Sequence, residues 1–394
     1  MKIKLIRITT RAVSMNIILR GQLKFMNNFF EVIGITSYDE KHFAEISLRE
    51  GIKTLAVDLS RDINIFKDFA ALINLVSIFR REKPTIVHTH TPKAGLLGML
   101  AARLLDVPIR LHTVGGMPLV EAKGMKRTLL NFTEKITYKC SHSVYPNSFG
   151  LRNIILQNKL CPASKLKVIA NGGTNGIDAD YFSVKSFSDP EVERKKLRES
   201  LSIKEDEIAF LFVGRIAVEK GVYELVDVFE DLSNKYKIKL IFIGTFEKEY
   251  GSLNEEYIEK ILKNDRILFL GRFDDVRPYY LLSDIFVLPS YREGLPGAVL
   301  EAGAMELPCI VTDINGCNEI VQDGFNGLLI KPKDRESLKQ AMQKLIVDQS
   351  LRNKLADNAR NAVISKYDRN IIWQALLEEY HSHLKRANIK YEIK

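Results

Sequence analysis

The chain has 394 residues, too many for one typical hydrophobic core, so two domains are expected. Apolar residues make up 46% of it, with ordinary glycine and proline, which excludes a disordered or collagen-like chain. The net charge of +9 is uneven: residues 1–180 hold 26 Lys+Arg against 14 Asp+Glu, and the remainder holds 32 against 35.

A basic half joined to a near-neutral half is expected to face something anionic. No zinc finger, aromatic RNA-stacking motif or lysine-rich arm is present, so no nucleic acid is expected as a partner. A bilayer surface or a diphosphate-bearing acceptor fits the charge instead. The four cysteines, Cys140, Cys161, Cys309 and Cys317, lie far apart with no CxxC pair. That argues against a disulfide framework and a zinc site and fits a reducing cytoplasm. Lys2, Lys4 and Arg7 lead into a short run ending at Thr9-Thr10, which does not read as a signal peptide. The most apolar stretch, 94–109, carries Arg103 and Asp106 and is too short to span a membrane.

In chain order, residues 2–8 alternate towards a strand and 15–26 read as a helix. Strands follow at 31–36 and 55–57, a helix at 65–81, a strand at 85–88, a helix at 93–105 and a strand at 109–114 ending on Gly115-Gly116. A basic helical segment carries Lys123, Lys126, Arg127, Lys135 and Lys139, and strands at 142–145 and 166–169 complete the half. Residues 171–176, Asn-Gly-Gly-Thr-Asn-Gly, form the densest turn cluster and a natural hinge. Beyond the charged stretch 191–199 the alternation restarts, with strands at 208–213, 240–243, 266–270, 285–288, 309–312 and 326–330. Helices are expected at 222–232, 335–347 and 351–365. Strands alternating with helices predict parallel sheets covered on both faces. The fold class is therefore α/β, two doubly wound Rossmann-like domains facing across a cleft, with ligands at the carboxyl ends of the strands. Domain boundaries are expected at 1–180 and 181–368. A final helical segment, 369–384, carries Ile372, Trp373, Leu376, Leu377 and Tyr380 on one face, as a plain amphipathic cap would.

The stretch after the 285–288 strand carries the chemistry. Glu293 and Glu301 bracket a loop, Gly294, Leu295, Pro296 and Gly297, that becomes an apolar helix. Pro296 suits the first turn of that helix, and Pro308 must end it. A helix start presents free N–H groups and attracts anions, so acids beside it are suited to neutral hydroxyls next to a phosphate. A solvated helix with two surface acids is the plainer alternative. After the 208–213 strand come Gly214-Arg215 and Lys220-Gly221, a forked and a point cation for phosphate oxygens, or else a salt-bridged loop. Neither a Walker ending nor GxGxxG is present.

Taken together, these motifs resemble the retaining glycosyltransferases of family 4 with the GT-B fold, and the resemblance implies that the C-terminal helix, about 369–394, crosses back onto the first domain. Glu293…Glu301 matches the E-x7-E signature, and Arg215 and Lys220 match the basic pair in Gly-Arg-x4-Lys-Gly. The strand Ile86-Val87-His88-Thr89-His90 and the crossover Asn175-Gly176-Ile177-Asp178 are also similar to family motifs. Two early stretches resemble the subgroup that extends lipid-linked sugars for surface polysaccharides. These are Thr91-Pro92-Lys93-Ala94-Gly95 and Thr113-Val114-Gly115-Gly116-Met117-Pro118-Leu119.

The resemblance implies a peripheral enzyme on the cytoplasmic face of the cell membrane, with a UDP-sugar donor and a polyprenyl-diphosphate-linked saccharide acceptor. Arg215 and Lys220 would hold the donor diphosphate and Glu301 the ribose. Glu293 would hold the transferred sugar, helped by backbone N–H groups from Gly294 to Gly297. Gly115, Gly116, Lys123, Lys126 and Arg127 are the expected acceptor-side residues. No cofactor or essential metal is expected: Asp178-Ala179-Asp180 imitates a metal-binding D-x-D but sits in the crossover.

Two departures stand out. Thr9 to Ser14 offers no glycine where many relatives have a Gly-rich loop, and Gly115 stands where many have His. His112, or His90, is the candidate to supply the missing imidazole. A GT-B nucleotide-sugar epimerase or hydrolase is the alternative function, and a basic membrane- or nucleic-acid-binding module without turnover is the third.

Overall fold

The computed structural model describes residues 2–60, 64–117, 122–247 and 251–390. The chain separates into two compact units, Met1–Asn175 with Asn370–Lys394, and Gly176–Arg369. The crossings fall at 175/176 and 369/370, beside the expected 180/181 and 368/369.

The first unit runs β1 (Lys4–Ile8), α1 (Ala12–Ile18), α2 (Gln22–Asn27), β2 (Glu31–Thr36), α3 (Glu40–Glu50), β3 (Lys53–Ala56), α4 (Ile65–Glu82), β4 (Ile86–His90), α5 (Pro92–Leu104), β5 (Ile109–Val114), α6 (Gly124–Cys140), β6 (Ser143–Pro146) and α7 (Phe149–Gln157). All pairings are parallel, in the order β3-β2-β1-β4-β5-β6. Connections that move right-handedly from β3 to β6 put α4, α5 and α6 on one face, and those moving the other way put α1, α2 and α3 opposite. Each face therefore has its own core. Val87, Ala94, Leu97 and Leu75 lie on the α4–α5 side, and Met15, Leu23, Leu376 and Tyr380 on the other.

The predicted helix at 15–26 is broken in two. Leu19 ends α1, Gly21 turns left-handed (φ 76), and buried Glu50 accepts from the backbone N–H groups of Gly21 (2.9 Å) and Lys24 (3.0 Å), starting α2. The predicted strand at 166–169 reduces to one bridge between Leu166 and Val144, after a short 3-10 turn.

The second unit opens with α8 (Pro190–Ser200), where the sequence showed only charge. Asp189 caps it, and Arg194 and Arg198 hold Asp284 at the foot of the sheet. Then come β7 (Ile208–Val213), α9 (Val222–Ser233), β8 (Ile238–Ile243), α10 (Glu255–Lys263), β9 (Ile267–Gly271), α11 (Arg277–Leu282) and β10 (Ile285–Leu288). They are followed by α12 (Gly297–Ala304), β11 (Cys309–Thr312), α13 (Cys317–Ile320), β12 (Gly327–Ile330), α14 (Arg335–Val347) and α15 (Gln349–Tyr367). The order is β12-β11-β10-β7-β8-β9, again wholly parallel. The middle strands β7, β10 and β11 are continuous apolar runs because both their faces are covered.

The last helix, α16 (Arg369–Arg386), packs on the α1–α2 face of the first unit. Ile372, Trp373, Leu376, Leu377 and Tyr380 are all buried there, each contributing roughly 1.5–3 kcal/mol by leaving water. The Tyr380 hydroxyl lies 2.6 Å from His88 Nδ1, and Trp373 Nε1 donates to Asn175 Oδ1 at 2.8 Å.

Candidate active site

In the second sheet the strand order reverses between β7 and β10. Helices that follow two such neighbours leave towards opposite faces, which opens a crevice at their carboxyl ends. Three loops built on β7, β10 and β11 fill its rim.

After β7, Arg215 leads into a 3-10 turn, Val218–Lys220, and Gly221 starts α9 with φ 71. A Cβ at Gly221 would lie 2.0 Å from the carbonyl oxygen of Pro289, so only glycine lets the β7 and β10 loops meet. Tyr291 N (2.8 Å) and Ser290 Oγ (3.2 Å) both donate to the carbonyl of Glu219 across this contact. The β11 loop docks in the same way. Gly316 has φ 80, and a Cβ there would sit 2.1 Å from the Gly294 carbonyl oxygen; Asn315 Nδ2 donates to the Glu293 carbonyl.

Those backbone contacts bring the charged side chains together. Lys220 Nζ donates to Glu293 Oε1 at 2.6 Å, with the two side chains only 17% and 11% exposed. Arg215 forks between Glu219 and Glu247, and Arg292 takes the second oxygen of Glu219. Burial works against ionisation of Glu219, but the guanidiniums of Arg292 and Arg215 hold its carboxyl below the usual range. The expected cations thus stand at one rim with Glu293, Lys220 directly and Arg215 through Glu219 and Arg292.

Glu301 sits in the second turn of α12 and bonds the Tyr280 hydroxyl (2.9 Å) rather than either cation. Burial raises its carboxyl above the ordinary value, with the Tyr280 hydroxyl opposing. Pro296 is the N-cap of α12 rather than a residue of its first turn, and no side chain caps the helix, so its first N–H groups are available to a ligand. The helix ends at Ala304, before Pro308, as Glu306 turns left-handed.

Sequence reasoning missed Glu219, Glu247, Arg292 and Tyr280. Only Glu219 left a signal, lying inside Gly-Arg-x4-Lys-Gly.

The first unit corrects one expectation. His112 is 2% exposed and points to the α5 face, where its Nδ1 lies 2.8 Å from Thr89 Oγ1 and its ring abuts the backbone of Gly95. Burial pushes its imidazole down to about 3, so it is neutral and enclosed, not placed to meet an acceptor. His90 is also enclosed: its Nε2 faces the buried guanidinium of Arg7 (2.9 and 3.1 Å), and burial holds it well below its ordinary value. In the glycine-free segment after β1, the Thr10 hydroxyl lies 2.7 Å from that of Thr91 and accepts from Ala94 N (3.3 Å), occupying the start of α5.

Gly115 and Gly116 follow β5, and the Gly115 carbonyl accepts from Asn147 Nδ2 (3.1 Å). Lys123, Lys126 and Arg127 are exposed at the start of α6. Pro118 and Leu119 lie outside the described residues. Asp178 pairs with Arg369 and caps Tyr181 N, a structural use of the D-x-D look-alike. Among the described residues no group of three His, Cys, Asp or Glu could hold a metal, and no helix is long and apolar enough to cross a membrane.

Two units, each built on a parallel, doubly wound sheet, with cations and carboxylates at the switch point of the second, define a class of two-domain α/β proteins. Residues 31–172 match the family model of the glycosyl transferase 4-like domain, and residues 193–362 that of glycosyl transferases group 1. The chain is 32% identical over 375 residues to the capsular polysaccharide biosynthesis glycosyltransferase CapM of Staphylococcus aureus, covering 95% of this chain and 96% of that one. It is 31% identical over 314 residues to the UDP-Gal:alpha-D-GlcNAc-diphosphoundecaprenol alpha-1,3-galactosyltransferase of Escherichia coli, covering 79% and 78%. The structure of Anabaena HepE in complex with UDP superposes with a TM-score of 0.78 at 18% identity, over 97% of this chain and all of that one. The chain belongs to the family 4 glycosyltransferases and has the GT-B fold.

Proposed function

We propose that this glycosyltransferase moves a sugar from a UDP-sugar, with retention of anomeric configuration, to a polyprenyl-diphosphate-linked saccharide during surface polysaccharide synthesis at the inner face of the membrane. The observation that carries the reading is the Lys220–Glu293 contact at the switch point, a cation suited to phosphate beside a carboxylate suited to hydroxyls. The names of the S. aureus and E. coli relatives support the pathway and the lipid-linked acceptor, and the UDP complex of a structural neighbour supports the nucleotide.

In this reading the donor diphosphate takes Lys220 and Arg215 from their carboxylates. Their charge then meets the charge that builds on the leaving group, as a fixed electrostatic contribution. Glu293, released from Lys220, accepts from hydroxyls of the transferred sugar, and the open N–H groups of α12 face the diphosphate. Glu301, on the next turn, accepts from the ribose. A retaining glycosidase works through a nucleophile and an acid about 5 Å apart. The family resemblance supports a different course here, in which attack comes on the face the nucleotide leaves and the departing phosphate oxygen takes the acceptor's proton.

The test is transfer of radiolabelled sugar from UDP-sugars to lipid-linked acceptors in membrane extracts, with the anomer of the product read by NMR. Lys220→Ala or Glu293→Ala retaining turnover within about tenfold of the parent, roughly 1.4 kcal/mol of barrier, would remove the assigned roles. Sugar release without any acceptor would replace transfer by epimerisation or hydrolysis.

A further inference from the structure

Ordinary folding leaves large apolar side chains scattered singly over a surface, but two helices of the first unit depart from that pattern. In the first three turns of α4, Phe66 is 89% exposed, Ile65 78%, Phe69 64% and Ile73 52%. In the first three turns of α6, Met125 is 89% exposed, Phe132 61% and Leu129 43%. Residues 65, 69 and 73, and likewise 125, 129 and 132, recur at helical spacing, so each set forms a stripe along its helix.

Topology puts the stripes together. Helices α4 and α6 both pack on α5, on the same face of the sheet, and all three start at the carboxyl ends of their strands. The two stripes therefore lie at the same end of one surface, two helix spacings apart, or roughly 20 Å.

Charge then selects the partner. Lys67 on α4 and Lys123, Lys126 and Arg127 at the start of α6 are exposed among these apolar residues. The sole carboxylate within α6, Glu134, is buried, and Asp68 on α4 is engaged by Lys93 (2.7 Å). Exposed aromatic and aliphatic side chains interleaved with lysine and arginine match the boundary between anionic headgroups and acyl chains: the cations meet the phosphates while the apolar tips enter beneath.

We propose that the α4–α6 surface docks this unit on an anionic lipid bilayer, through Phe66 and Phe69 on one helix and Met125 and Phe132 on the other. The proposal builds on the lipid-linked acceptor of the functional reading, since it turns the carboxyl edge of the first sheet, where Gly115 and Gly116 lie, towards the membrane that carries such an acceptor.

The experiment is co-sedimentation of the full chain with vesicles of phosphatidylcholine alone and of phosphatidylcholine with about 30% phosphatidylglycerol. It compares the parent with Phe66→Glu/Phe69→Glu, Met125→Glu/Phe132→Glu and the fourfold variant. All four positions are exposed, so the thermal midpoint should stay with the parent and certifies folding. The expected result is binding to the anionic vesicles only, weakened by added salt. It should fall at least about tenfold in each double variant and be abolished in the fourfold one.

Undiminished binding by the fourfold variant overturns the proposal. So does unchanged vesicle binding with a parent dimer that the variants dissociate, because the face would then be an interface between two copies. Release of UDP from a UDP-sugar in lipid-free solution separates this from the functional reading. A fourfold variant that keeps turnover but loses vesicles confirms docking, whereas a parent that binds vesicles through these residues yet transfers no sugar sinks the acceptor reading alone.

Discussion

The two units share one architecture, six parallel strands with a single reversal of order, yet treat the ends of their central strands in opposite ways. In the second unit the charges at the reversal stay at a partly exposed rim and are paired with one another: Lys220 with Glu293, and Arg215 and Arg292 with Glu219. In the first unit the polar groups at the corresponding place are enclosed. Among the described residues Arg7 pairs with no carboxylate and is held by Gln22 Oε1 (2.6 Å) and His90, while His88 and His90 on β4, and His112 on the neighbouring β5, are kept neutral by burial. A paired rim can exchange its partners for a ligand's at small desolvation cost, whereas an enclosed cluster cannot change charge without weakening the fold. The same topology thus carries charges that are partly wet and paired in one unit and polar groups that are dry, the histidines among them neutral, in the other.

The largest expected effect tests the rim. Lys220→Ala is expected to lower the transfer rate about 10²–10³-fold, and Glu293→Ala to lower it by a similar factor. The double variant should fall far short of the product of the two, because the residues act as a unit. Additive losses in steady-state transfer assays would show that the contact is incidental.

The next effects test the enclosed cluster through pH. The folded-state value of His112, about 3, lies below its ordinary 6.5, so the unfolded chain binds the proton first. Its contribution is complete above pH 6.5 and is lost as pH falls towards 3, at about 1.4 kcal/mol per pH unit. Urea midpoints followed from pH 7 to 4 should drop steeply, and less steeply in His112→Gln. Glu134 behaves oppositely. Burial raises its carboxyl from 4.5 to about 7, so the folded chain holds the proton longer and stability declines as pH rises between those values. Glu134→Gln should flatten the alkaline side of that profile between pH 5 and 8.

A smaller effect is expected at Gly221. Alanine there must adopt a left-handed backbone and push against the Pro289 carbonyl, at a cost of about 1–3 kcal/mol. The loss should appear as a lowered thermal midpoint together with slower transfer, because Lys220 moves with the loop. The smallest belongs to Arg292→Ala. Its partially exposed bond to Glu219 is worth about 0–1 kcal/mol of stability, and the thermal midpoint should hardly change.

Much of the second unit was readable before any coordinates, because strands buried on both faces announce themselves as unbroken apolar runs, as in Ile285–Leu288. The acids and cations of the rim were readable through their resemblance to the E-x7-E and Gly-Arg-x4-Lys-Gly motifs, whereas spacing alone left a solvated helix and a salt-bridged loop open. Their mutual contact was not readable, since it depends on loops from three strands docking through Gly221 and Gly316, on Glu219 within the basic motif, and on Arg292, whose sequence context is ordinary. His112 was misplaced for a reason of period. On β5 the side chains alternate, so Thr113 reaches His88 on the α16 face (2.8 Å) while His112 turns to α5. The break between α1 and α2 was hidden because it depends on Glu50, more than twenty residues away.

The tight approach of Gly316 to Gly294 and of Gly221 to Pro289 has one more outcome. With carbonyls locked against glycines on both sides, the three segments around Glu293 are shaped before any visitor arrives. Little chain entropy is then forfeited on capture, and discrimination among visitors falls to charge and hydroxyl geometry.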